Sequence, residues 1–386
     1  MEHDLKTAIQ ALVPNLAGIR HALHAHPELS GDEAWTAAFV ADQLAGIGLD
    51  SVRAGVGGHG IVAEIRGASV GRTVALRADM DALPIVEQTG ASYCSTIPGA
   101  MHACGHDGHT TMLLGAATLL AAHRELLHGS VRLLFQPAEE SVKGAEAMCA
   151  EGAMDGVDSV FALHGWPDLP VGSVGVRTGP MMASVDDFDI EIAGSGGHTG
   201  YPHLATDPIV VGARIVEAVQ SLLTRETDPF DPVVLAITRF DAGANYNVIP
   251  SVARLSGTIR THAPATRERL RRRLAEVAVT LAQAASASAT LTFVGGSPPV
   301  SNDPAATDLV ARVGRETLGE NAVVWLDKPS MGGEDFAVYL GYAPGAFFRL
   351  GLGDVTGLHT PTFDFPDAAL AAGVEMLSRV AIEALR

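Results

Sequence analysis

Short apolar strands alternate with helices through the first half of the chain, and this alternation constrains the fold more than any other feature. Apolar runs at residues 61–65, 73–77, 131–135 and 159–163 predict buried strands, and a helix is predicted from about Gly108 to His123. Such alternation predicts an α/β sheet with helices on both faces. Histidines, acids and a cysteine follow the strand ends, where open α/β sheets place their active sites.

The pattern changes near Thr178. From Val185 to Thr292 the predicted order is β-α-β-β-α-β, which is typical of a ferredoxin-like sandwich, and βα periodicity resumes from Asn302. A chain of 386 residues is also too long to fold around a single hydrophobic core. We therefore predict a mixed-sheet α/β catalytic domain made of residues 1–178 and 297–386. Residues 179–296 are predicted to form an inserted ferredoxin-like α+β domain that serves as a lid and in dimerisation.

Composition excludes several classes of function. The net charge of −18 argues against nucleic acid or an anionic membrane as the main partner. Three cysteines are too few for a disulfide framework in a chain of this length, which favours a reducing compartment. The segment Met1–Lys6 lacks the features of a signal peptide, and the apolar run 112–122 is too short to span a bilayer. We expect a cytoplasmic protein.

Cys104 and His106 form the first candidate metal site. On extended backbone, residues two apart point the same way, so one ion can meet both side chains. The structural alternative is a buried cysteine beside an ordinary histidine, and the dipole of the following helix disfavours a cation. The carboxylates of Asp79, Asp81 and Asp107 are close in sequence and would offset that dipole.

Glu139 and Glu140 follow the apolar run 131–135, after a proline. Adjacent side chains on extended backbone diverge, so one carboxylate can face a metal while the other serves as a general base. A solvated acidic turn is the alternative. His164 ends another predicted strand and His359 lies in a loop rich in glycine, proline and threonine. Either is a candidate ligand or an ordinary buried histidine.

Two further sequence features bear on the site. His102 and His109 flank the Cys104 cluster and are candidates for orienting its ligands. In the inserted domain, the segment 194–200 is a glycine-rich turn that presents His198. It lacks the Lys-Ser/Thr of a phosphate-binding loop and the spacing of a dinucleotide fingerprint, so nucleotide binding is not predicted.

Taken together, these motifs resemble the amidohydrolase branch of the M20 metallopeptidase family, which includes hippurate hydrolases, N-acyl-amino-acid amidohydrolases and auxin-conjugate hydrolases. The Cys104-x-His106 pair distinguishes this branch from the aminopeptidase and succinylase branches. Relatives more often have serine in the loop that here reads Gly332-Gly333, which bears on substrate preference. The matching segments are His26–Ser30, Arg77–Pro84, Met101–His109, Phe135–Glu140, His164-Gly165, Gly196–His198, Asn247–Pro250, Gly332–Phe336 and Leu358–Pro361.

The resemblance implies a site with two divalent metal ions. A mixed set of sulfur, nitrogen and oxygen ligands suits Zn²⁺ or Mn²⁺, with Co²⁺ or Ni²⁺ as alternatives. The ligands that the resemblance implies are Cys104, His106, Glu140, His164 and His359. It gives Glu139 the role of general base and His198 that of a group that reaches the scissile carbonyl, in some relatives from a partner subunit. Asn247, Arg260 and Gly333 correspond to substrate-binding positions, the arginine being suited to a free carboxylate.

We therefore predict an amidohydrolase that cleaves N-acyl amino acids of the hippurate, N-acetyl or aryl-acyl type. A dipeptidase or carboxypeptidase that uses the same site is the alternative. A non-catalytic binding protein of this fold would be expected to have lost Glu139 or several ligands, and a structural metal module would have no spare glutamate beside its ligands. The expected partners are a small-molecule substrate and a second copy of the chain, in a homodimer or higher homo-oligomer.

Overall fold

The computed structural model describes residues 2–386, with side chains from Leu5 onward. Met1, on which the prediction about a signal peptide partly depends, lies outside the described residues. Contacts between Cα atoms divide the chain into two compact units. The first unit runs to Gly179 and includes Ser301–Lys328 and Asp335–Arg386; the second comprises Pro180–Val300 and Pro329–Glu334. The segment Pro329–Glu334 thus groups with the second unit, although we had assigned it to the catalytic domain.

The first unit is built on an eight-stranded mixed sheet with the order β1-β2-β4-β3-β5-β16-β6-β15. The central strands β4, β3, β5 and β16 are parallel, whereas β1 and β2 join antiparallel at one edge. The strands are β1 (Ser51–Val56), β2 (Gly60–Arg66), β3 (Ser69–Asp79), β4 (His128–Gln136), β5 (Ser159–Trp166), β6 (Val174–Val176), β15 (Val323–Trp325) and β16 (Gly345–Gly351). This mixed sheet confirms the predicted fold class of the catalytic part.

Helices cover the sheet of the first unit. The helix α3 packs against α1 and α8 and is buried along almost its whole length, which explains why its residues 112–117 are apolar on every side. The N-terminal helix continues through Pro14, and its residues Leu5, Ile9, Leu16, Ile19 and Leu23 lie in the core. The helices are α1 (Glu2–Ala25), α2 (Ala34–Ala45), α3 (His106–Ala122), α4 (Gly144–Ala150), α7 (Pro304–Leu318) and α8 (Leu370–Ala384).

The second unit contains a four-stranded antiparallel sheet with the order β10-β12-β8-β13 and two helices. Its chain order β8-α5-β10-β12-α6-β13 is that of a ferredoxin-like fold, as predicted. The main elements are β8 (Ser184–Ala193), α5 (Pro208–Thr224), β10 (Val233–Ala242), β12 (Val252–Thr261), α6 (Pro264–Ala284) and β13 (Ser288–Ser297). The short strands β9 (Gly197–His198) and β11 (Val248–Ile249) pair with each other. β7 (Gly179–Met182) and β14 (Val300–Asn302) lie where the chain passes between the units.

The parallel strands of the first unit bring polar residues to one edge of the sheet. Asp79 is the last residue of β3, Glu139 follows the end of β4 by three positions, and His164 lies two residues before the end of β5. We had expected β5 to end at His164. Among residues 2–386, no helix is both long and apolar enough to cross a membrane.

Candidate metal centre

Cys104 and His106 are positioned by the turn that leads into α3. His106 is the first residue of the helix, and Gly105 between them has a φ of +93°. A side chain is strained at that φ, and a Cβ on Gly105 would lie 3.0 Å from the ring of Phe365. A glycine at this point therefore lets the chain turn sharply while the thiol and the imidazole both remain buried.

The predicted ligands converge on the sulfur of Cys104. Its Sγ atom lies 3.4 Å from Nε2 of His164 and 3.3 Å from Nε2 of His359. Nε2 of His359 is also 3.3 Å from Oε1 of Glu140, which is 3.9 Å from Nε2 of His106. The donor atoms form overlapping groups in which every atom lies within 4.8 Å of the others. These groups are Cys104/His106/His164, Cys104/Glu140/His359 and His106/Glu139/Glu140.

Hydrogen bonds determine which ring nitrogens can bind a metal. Nδ1 of His106 lies 2.8 Å from the carbonyl oxygen of Asp81, and Nδ1 of His164 lies 2.8 Å from that of Gly165. Since a carbonyl can only accept, both Nδ1 atoms donate a proton, and in the neutral form of each ring, which a metal ion would bind, Nε2 keeps a lone pair. Nε2 of His106 is buried without a hydrogen-bond partner among the described residues. Its lone pair faces the other donor atoms.

The donor set could hold its thiol as a thiolate only with a cation beside it. Burial, and then the negative charges of Glu140 and Glu139, raise the pKa of the Cys104 thiol well above its ordinary value. A thiolate in this position would be an uncompensated buried charge unless a cation neutralised it. A sulfur, three imidazole nitrogens and carboxylate oxygens are donors that divalent transition metals accept. The residues therefore fit a divalent metal ion.

Asp79 and Asp81 hold the histidines of the site in place. Oδ1 of Asp79 accepts from Nδ1 of His109 at 2.7 Å, and its Oδ2 accepts from Nη1 of Arg77 at 2.7 Å. Oδ2 of Asp81 accepts from the backbone N–H of Glu140 at 3.0 Å, and its Oδ1 lies 3.2 Å from Nδ1 of His106. Asp81 thus connects the His106 helix to the loop of the two glutamates.

Asp107 lies in the same motif but faces away from the donor atoms. Its Oδ2 accepts from Nδ1 of His24 at 2.9 Å and from Nη1 of Arg20 at 3.2 Å. These partners lie on α1. Burial alone would raise the pKa of the Asp107 carboxyl, but the hydrogen bond from His24 and the positive charges of His24 and Arg20 hold it far below its ordinary value. Asp107 therefore fixes the start of α3 to α1.

The flanking histidines differ in their surroundings. Nε2 of His109 accepts from the backbone N–H of Gly165 at 2.8 Å, so both of its nitrogens are used and it supports the loop of His164. His102 is fully buried, and neither of its nitrogens has a hydrogen-bond partner among the described residues. Burial lowers the pKa of His102 to about 4, which keeps it neutral.

The other predicted site residues belong to the second unit. His198 is exposed on β9, where it pairs with Val248, and the backbone N–H of Thr199 donates to the carbonyl of Asn247 at 3.3 Å. His198 and Asn247 are therefore neighbours. Arg260 donates from Nη1 to the carbonyl of Met331 at 3.0 Å. Gly333 packs so closely that a Cβ would lie 2.3 Å from Val185, the strand partner of Arg260.

Comparison with known proteins identifies the family. Residues 75–383 match the family model described as Peptidase family M20/M25/M40. The chain belongs to the M20 peptidase family. It is 41% identical to an N-acetyl-L-cysteine deacetylase of Bacillus subtilis, over 94% of this chain and 86% of the relative. It is 38% identical to thermostable carboxypeptidase 1 of Saccharolobus solfataricus, over 90% of this chain and 88% of the relative.

A solved structure agrees with both the family and the fold. A Bacillus subtilis protein described as a dinuclear metal binding peptidase from the M20 family superposes with a TM-score of 0.85. It is 36% identical, over 97% of this chain and 99% of that chain. The predicted resemblance to M20 enzymes is thereby confirmed.

The sequence did not predict the hydrogen bonds that hold the loop of Glu139 and Glu140 in place. Ala138, just before Glu139, has a φ of +55°, and its backbone N–H donates to Oε1 of Glu33 at 2.8 Å. Glu33 is fully buried, and Ser30 nearby donates to Oδ2 of Asp81 at 2.6 Å. In the sequence, the only sign of this support is that Ser30 lies in, and Glu33 close to, the family-matching segment His26–Ser30. No local pattern shows that Glu33 contacts a residue 105 positions away.

Proposed function

We propose that this protein hydrolyses the amide bond of N-acyl amino acids to a carboxylate and an amino acid, with two divalent metal ions bound by Cys104, His106, Glu140, His164 and His359. The supporting observation is that the Cys104 sulfur belongs to two donor groups, one with His106 and His164 and one with Glu140 and His359. A single shared ligand between two groups suits a pair of ions. The solved M20 relative described as dinuclear supports the same number.

Divalent ions at such a site supply Lewis acidity, which polarises a carbonyl and lowers the pKa of water. The chain's own residues then handle the protons. Glu139 is assigned as the base because it lies beside Glu140 and His106 and is not needed in either group that contains Cys104. Its carboxylate accepts the proton of the attacking water and passes it to the leaving nitrogen. The rigid loop held by Glu33 and Asp81 keeps that carboxylate at a constant position.

Residues of the second unit are assigned to substrate recognition. Nδ1 of His198 lies 3.0 Å from the backbone N–H of Gly200 and accepts its proton, so Nε2 carries a hydrogen that can be donated. We assign this Nε2–H to the oxygen of the scissile carbonyl, where negative charge develops. Asn247, Arg260 and Gly333 are assigned to the amino-acid portion of the substrate. Assembly into a homodimer through the second unit and a cytoplasmic location remain part of the proposal.

The acyl group is assigned by analogy with relatives. A deacetylase 41% identical to this chain favours a small acyl group such as acetyl. The carboxypeptidase relative favours a second candidate function, the hydrolysis of peptides at the C-terminal residue. Both reactions need the same metal site and differ only in what lies on the acyl side of the bond.

A substrate screen with controlled metal content tests the proposal. The chelated protein is reloaded with Zn²⁺, Mn²⁺, Co²⁺ or Ni²⁺ and assayed with N-acetyl, N-benzoyl and indoleacetyl amino acids and with dipeptides. We expect hydrolysis of an N-acyl amino acid that is lost on chelation and restored by one of the metals. Protein with two bound metal ions that cleaves none of these amides would overturn the proposal, and activity confined to dipeptides would favour the second candidate.

A further inference from the structure

Three arginines are buried in the first unit, and one differs from the others in its partners. Arg20 is paired with Asp107, Asp364 and Asp367, and Arg77 with Asp79 and Asp335. Arg349 is 7% exposed, but among the described residues it has no carboxylate within ion-pair distance. Its Nε is buried without a hydrogen-bond partner in the part of the chain that the structure describes. Buried cations in proteins are normally paired, so this arginine requires an explanation.

Arg349 lies directly beside a predicted metal ligand. It is on β16, where its Cα pairs with that of His164 on β5. Neighbouring strands are about 4.8 Å apart, and paired residues project from the same face of a sheet. Trp166, two positions after His164, projects from that face as well. The Arg349 guanidinium carbon lies 3.6 Å from the centre of the Trp166 ring.

This stacking fixes the orientation of the guanidinium, but it covers one face of the group and provides no hydrogen-bond acceptor. Contact with an aromatic face stabilises a cation, whereas the N–H groups at the edge of the guanidinium still need acceptors. Burial lowers the pKa of Arg349 to about 10, so the group is still charged at neutral pH. A planar, oriented fork of donors with no acceptor on the described residues is suited to bidentate binding of a carboxylate.

We infer that Arg349 binds a carboxylate of the substrate, so that the preferred N-acyl amino acids carry a carboxylate in addition to the one next to the scissile amide. That carboxylate would belong either to the amino-acid side chain, as in N-acetylglutamate, or to the acyl group, as in an N-succinyl amino acid. The inference rests on the proposed function for the identity of the substrate, whereas the anion site itself does not depend on catalysis.

Matched substrates and variants test the role of Arg349. N-acetylglutamate is compared with N-acetylglutamine, and N-succinyl-methionine with N-butyryl-methionine, so that the neutral member of each pair has the same carbon chain but lacks the extra carboxylate. Arg349→Met keeps an extended apolar side chain over Trp166 and removes the charge, and Arg349→Lys keeps the charge without the fork. Arg312→Met is the control, because Arg312 is half exposed on α7 and pairs with Glu383.

Wild type should prefer the charged member of one pair, and Arg349→Met should raise KM for that member by about 30-fold, the loss expected for a charged hydrogen-bonded contact. KM for the neutral member and kcat should change by less than about threefold under the same reasoning. Arg349→Lys should recover part of the difference, and Arg312→Met should behave as wild type. The pair that responds identifies the source of the carboxylate.

Stability and binding separate a ligand site from a structural role. Removing a buried charge that has no acceptor should leave the melting temperature of Arg349→Met equal to or above that of wild type. Calorimetric titration of N-acetylglutamate and N-succinyl-methionine into Glu139→Gln protein measures binding without turnover. Loss of that binding in a Glu139→Gln/Arg349→Met protein supports the site even if no amide is hydrolysed. A lowered melting temperature with unchanged discrimination and binding would show that Arg349 only packs against Trp166.

Discussion

The donor cluster of the first unit and the His198 turn of the second unit differ in how firmly they are held. The imidazoles of His106 and His164 are buried and each is oriented by a carbonyl, and the loop of Glu139 and Glu140 is held by two further carboxylates. His198 is exposed on a strand of two residues with glycines on both sides. The donor cluster is therefore preorganised by residues of the first unit, whereas the proposed role of His198 requires its turn to be positioned when substrate binds.

The largest effect should come from removing the proton acceptor while the metal ligands remain. Glu139→Gln should lower kcat by about 10²–10⁴-fold, because a positioned base contributes that much to catalysis. Metal content should remain near that of wild type, as measured by atomic emission on desalted protein. If the variant loses metal, or keeps activity within about tenfold of wild type, Glu139 is a ligand or a bystander and not the base.

Removing the shared ligand should affect the metal before it affects the fold. Cys104→Ser should lose most of the bound metal and, at limiting metal, most of the activity, because Cys104 belongs to two donor groups. Thiol-directed mercurials should inactivate wild type for the same reason. The control is Cys94→Ala, since Cys94 is exposed and belongs to none of the donor groups. Greater loss of metal in Cys94→Ala than in Cys104→Ser would show that the centre is misplaced.

The elements of both units and the residue types of the donor cluster could be predicted from the sequence. The ferredoxin-like order and the buried strands follow from periodicity, because apolar spacing reflects which face of an element is buried. The chemistry of Cys104, Glu140, His164 and His359 follows from residue type, since few sets of side chains bind divalent metals. Parallel strands end at one edge of the sheet, so the convergence of Cys104, Glu140 and His164 could be expected from the strand pattern, whereas the place of His359 was implied only by the family resemblance.

Other contacts of the site have no local signal in the sequence. Asp107 was predicted beside the ligands, but its neighbours on α1 are Arg20 and His24, which are more than 80 residues away in sequence. Glu33 reads as one of many acids, and Arg349 as a charge inside an apolar strand. Such contacts depend on how helices and loops pack in three dimensions, and side-chain direction over those separations is not encoded by periodicity.

The proposed role of His198 can be tested by comparing its substitution with that of a second exposed histidine. His198→Ala should keep both metal ions and the melting temperature but lower kcat by about 10²-fold, the effect of losing one donor to a developing oxyanion. His203→Ala is the control, because His203 is also exposed and lies five positions further along the chain. Normal kcat in His198→Ala would exclude the carbonyl role.

Mixing variants tests whether His198 acts across a dimer. Subunits with His198→Ala and subunits with Glu139→Gln should together regain part of the activity if each mixed dimer contains one intact combination of the two residues. A verified mixed dimer without any regained activity would show that His198 serves its own chain.

The smallest effect should come from removing Glu33, which accepts a hydrogen bond from the loop of Glu139 and Glu140. It tests whether the first unit preorganises this loop. Glu33→Ala removes the acceptor for the partly buried N–H of Ala138, and an N–H left without an acceptor costs about 1–3 kcal/mol. We expect the free energy of unfolding to fall by about this amount and kcat to fall by about tenfold, with tenfold corresponding to about 1.4 kcal/mol. Thermal unfolding and steady-state kinetics of metal-loaded protein measure the two effects.

Glu33→Gln distinguishes the hydrogen bond from the charge. Its amide oxygen can still accept from Ala138, so kcat should remain closer to wild type than in Glu33→Ala. Burial raises the pKa of Glu33, which means that folding favours the protonated carboxyl. Wild type should therefore gain stability relative to Glu33→Gln below the ordinary pKa of glutamate and lose that advantage as the pH rises through the raised pKa. A stability difference that does not vary with pH, or equal kcat for the Gln and Ala variants, would remove Glu33 as a support of the catalytic loop.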